Sequence, residues 1–140
     1  MKLEMFINFN GNCREAVAFY ARVFRSEVQH LMTYAEAPPD ENNPVAEADK
    51  DRVMYAGVPI GDMLVMFMDM PSGMPLTVGD NINPTINVDD KAEVTRLFDA
   101  LKEGGEVFME PQKVFYSDLY AMVKDQFGII WHILYYAPEQ

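Results

Sequence analysis

Few residues in this chain could move protons or hold a metal near neutral pH. His132 is the imidazole set in the apolar stretch "FGIIWHILYY", residues 127–136. Its ring titrates near neutrality and can serve as base, acid or ligand. Taken alone, a histidine in such a run is more often a core residue with its hydrogen bonds satisfied. Glu4 offers a carboxylate, Tyr55 and Tyr120 offer phenols, and Asn8 and Asn83 offer amides. His30, in "VQHLMTY", has no partner in sequence and reads as a surface or edge residue. Cys13 stands at a predicted helix start, where thiolate is favoured. Its spacing with Ala16, Val17 and Tyr20 places it on the buried face, so an inert thiol is expected.

The elements that must position these residues emerge from an internal repeat. "INFNGNCREAVAFYARVFRSEV" from Ile7 lies over "INVDDKAEVTRLFDALKEGGEV" from Ile86. Phe19 falls on Phe98, Ala21 on Ala100, and Glu27-Val28 on Glu106-Val107. Cys13, Ala16, Val17 and Tyr20 mark one helical face, and Val94, Leu97, Phe98 and Leu101 mark the other. Gly104-Gly105 reads as the stop of the second helix. "YAGV" from Tyr55 then lies over "YAMV" from Tyr120, and "IGDMLVMF" from Ile60 over "FGIIWHIL" from Phe127. In this register Gly61 meets Gly128 and Val65 meets His132. Each half reads β-α-β-β-β, and the common order of the matches favours a duplication.

The predicted fold class is α+β: two tandem βαβββ modules, mostly antiparallel sheets, helices outside and a concave cleft. The whole chain, 1–140, is one domain of two modules. Module one covers 1–75, with an acidic, proline-rich loop inserted at 35–52, and module two covers 80–137. That insertion carries three prolines and six acids. It reads as a surface loop, since Pro lacks a backbone donor and like charges resist burial. Its role as lid, dimer contact or disordered tip stays open.

Strand alternation sorts the faces. Met5, Ile7 and Phe9 form one side of the first strand; Glu4, Phe6, Asn8 and Asn10 form the other. The apolar set should meet the helix, and the mixed set should line a partly polar interior. Trp131, pointing opposite to His132, is expected in the core. The chain has 11 methionines, six of them in residues 53–74. These read first as core packing, with a plastic apolar pocket as the functional alternative.

Composition narrows the function. The chain has 140 residues, 49% hydrophobic and 24% charged, which suits a globular domain. Its formal net charge of −11 repels phosphate backbones and argues against nucleic acid. It favours a cationic ligand if it favours any. No apolar run approaches a membrane span, and "MKLEMFINFNG" does not read as a signal peptide. A single cysteine fits a reducing cytoplasm. There is no phosphate-binding Gly-rich loop of the Walker or dinucleotide kind.

The paired modules, with "NFNGNCREAVAFY", "INVDDKAEVTRLFDALKEGG", "PQKVF" and "KDQFGIIW", resemble the vicinal oxygen chelate superfamily of glyoxalases, bleomycin-resistance proteins and dioxygenases. Within it the chain is most similar to the PhnB-like group, also labelled the 3-demethylubiquinone-9 3-methyltransferase domain. The resemblance implies metal-ligand positions at Glu4 and Val65 in module one, and at Asn83 and His132 in module two. It also implies a homodimer whose clefts combine Glu4, Asn8, Tyr55 and Val65 with Asn83, Tyr120 and His132.

Val65 has no donor atom and Asn83 has only an amide. No metal or other cofactor is therefore expected; if a divalent metal binds, Glu4 and His132 hold it. The leading reading is a small-molecule binder with a metal-free cleft at a dimer interface. One alternative is a divalent-metal enzyme of lyase, transferase or dioxygenase type, and another is an interaction protein with a vestigial cleft.

Overall fold

The computed structural model describes residues 1–137. The chain divides into two compact units, Met1–Leu76 and Thr77–Gln140. In the first, β1 (Phe6–Phe9), α1 (Cys13–Val23), β2 (Gln29–Thr33), β3 (Val53–Ile60) and β4 (Met63–Asp69) follow in order. In the second, β5 (Thr85–Val88), α2 (Lys91–Leu101), β6 (Glu106–Val114), β7 (Ser117–Lys124) and β8 (Ile130–Tyr135) repeat the pattern. The sheets run β1-β4-β3-β2 and β5-β8-β7-β6. Pairings β1–β4 and β5–β8 are parallel, and the others are antiparallel. Each is thus a βαβββ module, as the sequence periodicity predicts.

The helices form where the predicted apolar stripes lie. Cys13, Ala16, Val17 and Tyr20 are buried in α1, and Val94, Leu97, Phe98 and Leu101 in α2. Tyr20 stacks on Phe67 of β4, with ring centroids 5.6 Å apart. Phe9 packs on the same ring at 6.1 Å, so the predicted inner face of β1 does meet the core. At the start of α2, Asp90 accepts a hydrogen bond from the Ala92 N–H at 2.9 Å. Asn12, at the start of α1, makes no such side-chain bond. Asp69, at the end of β4, replaces it: Oδ1 accepts from the Gly11 and Cys13 N–H groups and Oδ2 from that of Val53. This carboxylate ties β1, α1, β3 and β4 together. In the second unit Asp125 braces the β7–β8 connection. It accepts from the N–H groups of Phe127 and Ile129 and from Trp131 Nε1.

The strand register corrects one part of the repeat. Ala56 opposes Phe67 across β3–β4, and Ala121 opposes Ile133 across β7–β8. Ile7 pairs with Phe67, and Ile86 with Ile133. The counterpart of His132 is therefore Met66, and that of Val65 is Trp131. The cause is a hairpin of unequal length: Pro59 pairs with Leu64, but its counterpart Lys124 pairs with Ile130. The second connection holds one more residue, so Gly61 and Gly128 are not equivalent. A slip of one residue moves a side chain to the other face of a sheet.

The inserted segment is a built lobe. Its stem is zipped by Tyr34 N–H to Arg52 O (3.0 Å) and Ala35 N–H to Lys50 O (3.1 Å). A short 3-10 helix, Glu47–Asp49, presents the buried Asp49 carboxylate to the Ser72 N–H. Arg52 donates to Asn10 Oδ1 at 2.9 Å and to Met70 O at 2.8 Å.

Candidate functional site

Each sheet carries its helix on one face. The site residues follow from what the opposite, helix-free face presents. In the second unit, Thr85, His132, Met122 and Met109 form one row across β5, β8, β7 and β6. Asn87, Leu134, Tyr120 and Gln112 form the next row. Residues paired directly across strands share a face, so His132 and Tyr120 are diagonal neighbours.

Their rings meet edge to face at 5.7 Å, and the Tyr120 hydroxyl is hydrogen-bonded to His132 Nδ1. His132 Nε2 lies 3.2 Å from Asn83 Oδ1, and Asn83 Nδ2 donates to Asp80 O at 3.1 Å. This chain assigns the tautomer. With its amide N–H group turned to Asp80, Asn83 presents oxygen to His132, so Nε2 carries the proton and donates. Nδ1 then accepts from the Tyr120 hydroxyl. Burial of the half-buried ring lowers the His132 pKa from its ordinary value, which keeps it neutral. Burial, followed by the neighbouring Tyr116, pushes Tyr120 up to about 12 and holds the phenol proton in place. Tyr116 meets Tyr120 edge to face at 5.7 Å. It belongs to the β6–β7 turn and extends the polar chain to the surface, where it is exposed.

The first unit's equivalent face has a different chemistry. Phe6, opposite Met66, approaches Tyr55 edge to face at 6.4 Å. Asn8 is exposed opposite Met68, and Met32 is paired with Tyr55. Thioethers and rings stand here where the second unit has an imidazole and its partners.

Of the residues singled out in the sequence, Asn83, Tyr120 and His132 are thus joined by hydrogen bonds. Asn8 and Tyr55 lie on the matching face of the first unit. Glu4 precedes β1, exposed, with its carboxylate 3.2 Å from Lys2 Nζ. Val65 does not reach the helix-free face. It is 4% exposed and alternates with the buried Phe67 and Asp69 on the helix side, because of the register shift described above. Trp131 is buried, as expected. Cys13 is fully buried, and burial, reinforced by the negative Asp69, raises its thiol to about 12. Tyr116 and Met66 were not identified in the sequence. A hairpin-tip tyrosine gives no periodic signal, and Met66 was hidden by the unequal hairpins.

The description "3-demethylubiquinone-9 3-methyltransferase" belongs to the family whose profile matches residues 1–134. Protein YjdN of Escherichia coli K12 is 30% identical over 140 residues, covering 95% of this chain and 94% of that protein. The chain belongs to this family. Its fold is seen again in two solved structures. Protein PA1353 from Pseudomonas aeruginosa matches with a TM-score of 0.83 at 30% identity, over 98% of this chain and 100% of that one. A putative 3-demethylubiquinone-9 3-methyltransferase, PhnB protein, from Bacillus cereus matches at 0.79. At 22% identity, over 97% of this chain and 100% of that one, this likeness speaks for the fold. The same fold is shared by a glyoxalase/bleomycin resistance protein/dioxygenase family enzyme from Burkholderia phytofirmans PsJN, with a TM-score of 0.62 at 17% identity over 93% of this chain and 95% of that one.

Proposed function

We propose that this PhnB-like protein binds a small organic molecule on the helix-free face of its second unit and does so without a catalytic metal. The observation that carries the reading is the Tyr120–His132–Asn83 chain. It presents a neutral imidazole whose two nitrogens have fixed, opposite roles. Such a chain orients polar groups of a ligand and costs little reorganisation on binding. Met122, Met109 and Leu134 beside it supply adaptable apolar contact.

The donor set fits a ligand better than an ion. Zinc, nickel or iron sites need about three good protein donors. This face offers one imidazole, whose Nδ1 lone pair is taken up by Tyr120, a neutral amide and a phenol that keeps its proton until about pH 12. Among the described residues no three His, Cys, Asp or Glu side chains cluster as a metal site would require. A homodimer and a cationic ligand belong to the same proposal. The net charge of −11 supports the second.

A thermal-shift screen of cationic drugs, antibiotics and quinones, run beside metal analysis of protein purified without chelators, tests the reading. A ligand should raise the melting temperature of the native chain, with that shift lost in His132→Ala and reduced in Tyr120→Phe. Stoichiometric zinc, nickel, iron or manganese that disappears in His132→Ala would overturn the metal-free reading.

A further inference from the structure

The lobe that follows Tyr34, together with Met54 of β3, lines an open cavity of about 700 Å³. That lies in the range of drug-sized ligand sites, about 300–1,000 Å³. It is formed wholly within the first unit, and the second unit has no counterpart to the segment that builds it. Pro38, Pro39, Pro44, Val45 and Met54 give it apolar walls. The three prolines have fixed φ and no backbone N–H to satisfy, so this part of the wall loses little freedom on binding.

The charged groups at the cavity are unequal. Lys50 lies with its Nζ 2.6 Å from Glu47 Oε2, so its charge is already answered. Asp40 and Glu41 have no ion pair among those of the described residues. Asp40 instead accepts from two neutral donors, the Asn42 N–H at 3.0 Å and Asn43 Nδ2 at 3.2 Å. These bonds turn the 40–43 segment and hold the Asp40 carboxyl below its usual range. The stem ladder and the Asp49–Ser72 bonds fix the lobe at both ends.

We propose that this lobe is a second binding site, separate from the His132 face, for an organic cation with an apolar body. The apolar walls take the body, and the Asp40 and Glu41 carboxylates face the positive charge.

The probe is rhodamine 6G, a planar cation, with the anionic dye fluorescein as control, followed by fluorescence anisotropy on the full chain. Rhodamine 6G should bind saturably and fluorescein should not. The double variant Asp40→Asn/Glu41→Gln keeps the shape and should weaken binding about tenfold. Ala37→Trp fills the cavity and should abolish it; if that variant loses its native circular dichroism, Val45→Trp is read instead. His132→Ala should leave the affinity unchanged, which separates this site from the other. Absence of saturable binding, equal binding of fluorescein, or affinity unchanged in either lobe variant would overturn the proposal. Loss of binding in His132→Ala would overturn it too, by placing the dye on the other face.

Discussion

His132 takes its tautomer from its partners and its neutral state from burial. Asn83 is committed through Nδ2 to Asp80 O, which turns its oxygen to Nε2 and leaves Nδ1 for the Tyr120 hydroxyl. Burial lowers the imidazole pKa from 6.5. Folding therefore favours the neutral ring, and the unfolded chain takes up a proton first as the pH falls. The stability contributed by neutral His132 is complete above about pH 6.5. It is lost as the pH drops from there through the depressed folded value. In Tyr120→Phe the hydroxyl that favours the neutral ring is gone. NMR titration of the His132 ring should show a higher pKa in this variant than in the native chain. An unchanged or lower pKa would mean that the Tyr120 bond does not hold the ring neutral. The residue types were legible in the sequence, since His132, Tyr120 and Asn83 were all singled out. Their hydrogen bonds were not, because 49 residues separate His132 from Asn83 and only sheet pairing brings them together.

At the scale of elements, both helices could be read from their stripes, because the 3.6-residue period survives in sequence. The glycine pair after α2 was also legible as a stop: Gly104 has φ +72°, and Gly105 N–H bonds to Lys102 O at 2.9 Å. The sequence hides why the second glycine is required. A Cβ on Gly105 would stand 2.1 Å from the Lys124 carbonyl oxygen, which belongs to the backbone of β7 and cannot swing aside. Gly105→Ala is expected to cost about 2–4 kcal/mol, visible as a lower midpoint in urea with an unchanged slope. A midpoint equal to the native one would show that β7 yields easily. The hairpin register leaves no such local mark. Gly61 and Gly128 both lie in the connection before the last strand of their unit, but a connection one residue longer in the second unit displaces everything after it. Val65 went to the core and Met66 to the helix-free face.

For the whole molecule, 22 acidic against 11 basic residues give a surface that repels itself. Exposed charges are screened within about 8 Å at physiological ionic strength and about 3 Å at 1 M salt. Melting temperature at pH 8 should thus rise between low and high sodium chloride, by a few degrees, and scanning calorimetry measures it. A fall would mean that specific ion pairs outweigh the general repulsion. Such pairs as Lys2–Glu4 and Lys102–Asp99 are exposed and contribute little.

The sequence by itself determined the duplicated βαβββ order, the two helical faces, the buried Cys13 and Trp131, and a PhnB-like membership. Each of these is written in local periodicity or in motif order, which survive without coordinates. Tertiary structure alone decided which face of β4 Val65 occupies, that Asp69 braces the first unit and Asp125 the β7–β8 connection, and that the 35–52 segment lines an open cavity with Tyr34 and Met54. It also decided which nitrogen of His132 carries the proton. These depend on register and on hydrogen bonds between distant residues. A single residue in a hairpin, which leaves no mark on hydrophobic pattern, is enough to reassign a face.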